Sequence, residues 1–354
     1  MKLCITGGFG NKDIGDEAML TEYLRYLDDI GFHRDDIYLI GHRPQYISWY
    51  HNHPLDKCIA SKRIPPHIVQ NCTKLLFTGG GTINSYRPKS INRTFGLIQL
   101  FRGKKIFMSG QTIGPILDDE ELNKKVKFVI ENVDYLSSRD LIHSKKAIDK
   151  LGAKPRIFKE TCDDAVNLQY KDAQLSETIL DFIDKDTIAF NITDFIVDTP
   201  EKVKQVINII NRLLEDFKLL LVCNHPSDYE HFEDLILPHI SLKNILMPNT
   251  VKMKGNQLKK MISLCKIAVG SRYHFLVFAG TTGTPFIGLA GDEYSYIKQS
   301  GFAQQIGLQD MIIAKGDLGN LDYIQLKMTK ARHLSFRNTF ISQSIVDFTE
   351  WIKS

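Results

Sequence analysis

The chain has 354 residues, a formal net charge of +4, and a composition of 43% hydrophobic, 24% charged and 10% aromatic residues, which is that of an ordinary globular protein with material for a large core. The charge is small for the length and dispersed, so the clustered Lys and Arg of a nucleic-acid surface are absent and a small anionic ligand fits better. At about 100–200 residues per domain, two domains are expected.

The amino terminus, "MKLCITGGFGNKDIGDEAML", lacks the apolar core and cleavage site of a secretory signal. No later window reaches the roughly 18 apolar residues of a membrane span, so a cytoplasmic protein is expected. Cys4, Cys58, Cys72, Cys162, Cys223 and Cys265 lie far apart without a CxxC pair. That spacing suggests neither a zinc site nor a disulfide framework, and the thiols read as small buried residues. "HNHP" at 51–54 has ligand-type histidines, but no acidic or thiol partner is spaced with it, and it reads as a solvated loop. No metal is expected.

In chain order, 2–6, 36–40, 74–78, 104–108 and 134–138 are short, mostly apolar runs that read as strands of a parallel sheet. Helical spacing occupies 15–30 and 120–133, with Ala18, Leu20, Leu24 and Leu27 on one face of the first. A second series of strands follows at 187–192, 218–223, 243–247, 266–270 and 285–289, with helices over 200–217, 227–236, 256–265 and 275–282. The fold class is α/β, with two Rossmann-like domains facing a cleft. The expected domains are 1–180 and 181–336, with the polar stretch near 175–186 between them and a last helix over about 337–353 that fold analogy packs back on the first domain.

Polar residues gather at predicted strand ends. "GGFGNKDIGDEAML" (7–20) is a glycine-rich turn opening a helix, where free N–H groups favour an anion. It lacks the Lys-Ser/Thr ending of a Walker loop, and Asp16 and Glu17 oppose a tightly held phosphate. Ligand contact, through residues such as Asn11 and Asp16, and simple capping, with Asp16 as the cap, stand equal. "FTGGGTINSYR" (77–87) puts Gly79, Gly80 and Gly81 past a strand's carboxyl end, where ligands bind in open α/β sheets, with Thr82 and Asn84 as hydrogen-bonding groups. A tight turn is the alternative. "SGQTIGPI" (109–116) adds Gln111 and Thr112, with Pro115 suited to a helix start. "SSRD" places Arg139 at another strand end, against the alternative of a surface ion pair with Asp140 or Asp134.

"CNHPSDYEHFEDLI" (223–236) closes a later strand with Asn224 and His225 before a Pro-Ser helix start. "GSRYHFLVFAGTTGTPFIGLA" (270–290) carries Arg272 and His274 at the first bend of an otherwise apolar segment. A buried guanidinium without an anion is costly, so an anion is expected to meet Arg272. Several such groups on one sheet edge point to a site.

"GGFGNKDIGDEAML", "TGGGTI", "GQTIGP", "SSRD…LG", "CDDAV" and "GSRYHFLVFAGTTGTPFIGL…KQSGFAQQIGL" resemble, in this order and over roughly residues 3–310, the sequence blocks of polysaccharide pyruvyl transferases. The last block is the most specific, with Lys298 before "GF". The resemblance implies a GT-B-like fold and transfer of the pyruvyl group of phosphoenolpyruvate onto two sugar hydroxyls to form a cyclic ketal. It implies phosphoenolpyruvate and a glycan or lipid-linked sugar as partners, with no cofactor, no nucleic acid and room for peripheral contact at the inner face of the membrane. Arg139, Arg272 and His274 resemble the family's phosphoenolpyruvate contacts, and the first loop is more charged than is usual there. Two arginines suit a ligand bearing a carboxylate and a phosphate. His274 is placed as general acid and His225, second, as base toward the hydroxyl. The competing reading is a GT-B glycosyltransferase using a nucleotide sugar, with Asp292 and Glu293 on the ribose. A binding protein without catalysis is a third.

Overall fold

A computed structural model of the chain describes residues 1–332 and 343–353. The chain divides into two compact α/β units, the first built from Met1–Asn167 with the helix Gln343–Lys353 and the second beginning at Leu168. Residues 168–180, expected in the first unit, belong to the second. There Lys260 Nζ donates to the Lys171 carbonyl at 2.7 Å, Gln257 Nε2 donates to the Gln174 carbonyl at 2.8 Å, and the Lys259 ammonium lies over the Tyr170 ring.

The first unit contains strands β1 (Leu3–Thr6), β2 (Ile37–Gly41), β3 (Cys58–Ala60), β4 (Lys74–Phe77), β5 (Gly80–Ile83), β6 (Lys105–Ile113), β7 (Tyr135–Ser138) and β8 (Phe158–Glu160). They form a parallel sheet in the order β3-β2-β1-β4-β6-β7-β8, with β5 pairing β6 off that path. Its helices are α1 (Ile14–Asp29), α2 (Pro44–His51), α3 (Pro66–Asn71), α4 (Pro88–Leu100), α5 (Glu120–Glu131) and α6 (His143–Lys150). The central strands are buried on both faces, which is why they read as continuous apolar runs rather than alternations. Strands β3 and β8 are too short to show a period, and β5 lies inside the stretch expected to be a glycine turn. Pro115 lies in the loop after β6, and the next helix starts at Glu120 with Asp119 as its cap rather than at the proline.

The second unit has α7 (Glu177–Phe182), β9 (Thr187–Asn191), α8 (Pro200–Leu214), β10 (Lys218–Leu221), α9 (Pro226–His231), β11 (Ile245–Leu246), α10 (Gly255–Ser263), β12 (Ile267–Gly270), α11 (Tyr273–Thr282), β13 (Phe286–Leu289), α12 (Glu293–Gln305), β14 (Ile312–Ile313) and α13 (Leu321–Arg332). Its parallel sheet runs β11-β10-β9-β12-β13-β14. Helix α11 is buried from Tyr273 to Gly280 and apolar nearly all round, as a helix enclosed by its own domain must be.

The last described helix, α14 (Gln343–Lys353), packs on the first unit. Phe348 is fully buried and meets the Tyr23 and Phe107 rings edge-on, and buried Lys74 donates through Nζ to the carbonyls of Trp351 and Ile352 at 2.6 and 2.7 Å. A cation on the terminal carbonyls of a helix satisfies groups that have no intrahelical partner and complements its dipole. The part of the expected helix over 337–342 lies outside the described residues.

Two expectations are corrected. Cys4 and Cys72 form a disulfide, while Cys58, Cys162, Cys223 and Cys265 are buried outside any disulfide; the pairing joins β1 to the end of α3 and leaves no local spacing motif. "HNHP" is not a solvated loop, because the His51 side chain is buried against Glu17, and buried His53 bonds the Ile37 carbonyl through Nε2 at 3.0 Å.

Candidate functional site

In the first unit the functional-type residues stand at the carboxyl edge of the sheet. After β1 the chain turns through Gly7–Gly10, and Gly10, at φ +84°, lies so close to the start of α2 that a Cβ there would sit 2.8 Å from His42 N. Its N–H donates to Glu17 Oε1 at 2.7 Å, and the other Glu17 oxygen bonds His51 Nε2 at 2.8 Å. Burial, partly offset by the Gly10 N–H, raises the Glu17 carboxyl to about 8. The cap of α1 is Asp13, which accepts from Gly15 N at 3.0 Å. Asp16, expected as the cap, instead lies in the first turn against Gly8. Asn11 closes the loop by donating to the Gly8 carbonyl at 3.0 Å.

The second turn is organised by a residue that strand-end reasoning did not single out. Asp164, fully buried, accepts from Gly79 N at 2.8 Å through Oδ2 and from Ser109 Oγ at 2.7 Å through Oδ1, with Tyr23 OH at 3.4 Å. A Cβ at Gly79 would fall 2.7 Å from Met19 Sδ and 3.0 Å from Asp164 Oδ2. Desolvation and the adjacent Asp163 outweigh these bonds and raise Asp164 to about 7. Gly80 and Gly81 open β5, Thr82 donates to Gln111 Oε1 at 3.3 Å, and Asn84 donates to the Gly81 carbonyl at 2.6 Å. Gln111 is itself buried and donates to the carbonyls of Thr78 and Ser109. Gly80 and Gly81 therefore open a strand, with Gly79 at the bend before it, backed by a polar network.

Arg139 is not a surface residue and pairs with neither Asp140 nor Asp134. It is 3% exposed, its Nη1 meets Asp163 Oδ2 at 2.6 Å, and its Nε donates to Thr112 Oγ1 at 3.0 Å. Asp140 binds Ser144 N at the start of α6, and Asp134 pairs with Arg156. The "CDDAV" segment thus supplies both carboxylates that hold this edge, one on Arg139 and one on Gly79.

In the second unit Arg272 is the residue just before α11, and the anion within its own unit that meets it is Asp228. The guanidinium Nε lies 3.0 and 3.1 Å from the two Asp228 oxygens, and Nη2 also bonds that carboxylate. Asp228 is fully buried and accepts from the backbone N–H of Asn224 at 3.0 Å and of His225 at 3.2 Å. Asn191, at the end of β9, accepts from Arg272 N at 2.9 Å and donates to the Val222 carbonyl at 2.7 Å, tying three strand ends together. His274 sits in the first turn of α11, buried, with its ring edge-on to Tyr273. His225 caps α9, where its Nδ1 accepts from Ser227 N at 3.1 Å. Lys298 lies on α12 with its ammonium 4.1 Å from the Tyr294 ring centroid. Asp292 caps the same helix, accepting from Ser295 N at 2.7 Å.

Two parallel α/β units with polar groups at the carboxyl edges of their sheets define a GT-B-like protein of Rossmann-type units. Solved structures of this class are similar over the whole chain. UDP-GlcNAc 2-epimerase from Methanocaldococcus jannaschii superposes with a TM-score of 0.67 at 14% identity, covering 100% of this chain and 99% of that one. MnaA of S. aureus, solved with UDP, gives 0.66 at 10% identity, covering 100% and 97%. Anabaena HepE in complex with UDP-glucose gives 0.62 at 9% identity, covering 100% of both chains. No curated protein sequence is a significant match to the chain. The sequence model of the polysaccharide pyruvyl transferase family matches residues 13–293, and the chain belongs to that family.

Proposed function

We propose that this protein transfers the pyruvyl group of phosphoenolpyruvate to two hydroxyls of a glycan, or of its lipid-linked precursor, with Arg272, His274 and Lys298 of the second unit serving the donor and Arg139 of the first unit offering a further oxyanion contact. The family membership supports the transferase class. The observation that carries the reading is that Arg272 is held by buried Asp228 and Arg139 by buried Asp163. A guanidinium fixed in this way meets an oxyanion without first losing side-chain freedom.

In the reaction the C2–C3 π pair of the enol takes a proton from His274 at C3, leaving an oxocarbenium-like centre at C2. One sugar hydroxyl attacks C2 and passes its proton to the imidazole that His274's donation left neutral, phosphate departs with the C2–O electron pair to leave a second oxocarbenium-like centre, and the second hydroxyl attacks that centre to close the ketal while its proton leaves with the phosphate. Cation contacts on the phosphate stabilise that departing charge. His225, which caps α9 through Nδ1, is the second-ranked base toward the hydroxyl. No helix among the described residues is long and apolar enough to cross a membrane, and a lipid-linked acceptor would require only surface contact.

Titration calorimetry with phosphoenolpyruvate, UDP and GDP tests the assignment, on the native chain and on Arg272→Lys. The lysine variant keeps a cation beside Asp228, whereas alanine would remove the cation from that buried carboxylate. Saturable phosphoenolpyruvate binding that weakens roughly tenfold or more in the variant is expected for loss of bidentate contact. Binding of a nucleoside diphosphate without phosphoenolpyruvate would reassign the protein to nucleotide-sugar chemistry.

A further inference from the structure

A recess of about 30 Å³ opens at the carboxyl ends of β1 and β4, beneath α4. Thr6, Gly7, Thr78, Thr82 and Arg93 are among the residues that line it. Arg93 is half-buried, and among the described residues it forms no ion pair. Its Nη1 donates to His42 Nε2 at 2.7 Å and its Nη2 to the Gly7 carbonyl at 3.3 Å, while the buried Nε–H has no partner. The Thr78 hydroxyl, in a residue only 2% exposed, is likewise buried without a partner.

Two unsatisfied donors beside one small hollow are costly unless an acceptor fills it. The guanidinium adds net positive charge, since His42, its strongest contact, is pushed below its ordinary value by burial and by Arg93 itself. Asp16 is the acidic group whose field reaches Arg93, and it offsets desolvation of that arginine without bonding it. The volume suits about two water-sized oxygens, which is the size of a carboxylate head and too small for a tetrahedral phosphate.

We propose that this recess is a carboxylate subsite in which the Arg93 Nε–H and the Thr78 hydroxyl donate to the oxygens of a carboxylate group. That group belongs to the donor or to an acidic sugar of the acceptor. Only the identity of the carrier rests on the pyruvyl-transfer reading. Gly7 serves the subsite through its missing side chain, because a Cβ there would fall 2.1 Å from Thr78 Oγ1.

The test is calorimetric titration of the native chain, Arg93→Gln and Thr78→Val with phosphoenolpyruvate, pyruvate, glucuronate, inorganic phosphate and neutral glucose, after melting curves show that the variants fold. At least one carboxylate is expected to bind, with affinity reduced roughly tenfold or more in Arg93→Gln and to a smaller extent in Thr78→Val, as for loss of a charge-assisted and a neutral hydrogen bond. Sensitivity confined to phosphoenolpyruvate and pyruvate assigns the group to the donor, and sensitivity of glucuronate assigns it to the acceptor. Glucuronate binding should survive Arg272→Lys, so the subsite stands even if phosphoenolpyruvate proves not to be the donor. Equal affinities in native and variant chains, no saturation by any carboxylate, or an Arg93-dependent preference for inorganic phosphate would each overturn the proposal.

Discussion

At the residue scale, the candidate site is held by buried carboxylates. Asp228, Asp163, Asp164 and Glu17 each satisfy a cation, an imidazole or a glycine N–H. Glu17 yields a prediction about pH. Its folded-state carboxyl lies at about 8 against an ordinary 4.5, so the folded chain holds a proton that the unfolded chain has released between those values. Stability from this group is therefore present below about 4.5 and is lost as pH rises toward 8. Urea midpoints from pH 5 to 8 should fall less steeply in Glu17→Gln than in the native chain, and parallel slopes would contradict the assignment. Glycines give a second prediction. A Cβ at Gly291 would meet the Phe195 carbonyl oxygen at 2.0 Å, whereas one at Gly8 would meet the movable end of Asp16 at 2.2 Å. Thermal melts should show Gly291→Ala losing on the order of 2–4 kcal/mol, because backbone must move, and Gly8→Ala losing much less.

At the scale of elements, the longer strands and about half of the helices were legible because burial on both faces of a parallel sheet imposes continuous apolar runs, and crossover helices impose a 3.6-residue period, whereas α2, α3, α4, α6, α12 and α13 were not read from the sequence. The short strands β3, β8 and β14 were not legible, since two or three residues carry no period. Helix α14 belongs to the first unit through Phe348, Lys74 and Tyr135, whose hydroxyl bonds Asp347. Truncation of a fully buried phenylalanine removes apolar burial and leaves a cavity, so Phe348→Ala should cost about 3–5 kcal/mol in denaturant unfolding. A loss below about 1 kcal/mol would mean that the helix is not docked there in solution.

At the scale of the whole molecule, the fold class is that of two Rossmann-like units, and the family is that of the sequence model matching residues 13–293. The structural relatives share the fold at 9–14% identity, which is why the donor is tested directly with phosphoenolpyruvate against nucleotides.

The sequence by itself determined the α/β class, the strand ends at which Arg139, Arg272 and the glycines stand, and the need for an anion beside Arg272, because apolar period, glycine spacing and the cost of a buried charge are local properties. Only the tertiary structure decided which anion its own unit brings to that arginine. Asp228 is 44 positions away from Arg272 and Asp163 is 24 from Arg139, and a lone Asp in a polar stretch carries no sign of its partner. The same holds for Glu17 with His51, for Asp164 with Gly79, and for the recess beneath Arg93. Each exists because parallel strands distant in sequence end side by side, and that adjacency is a property of the sheet order rather than of any segment.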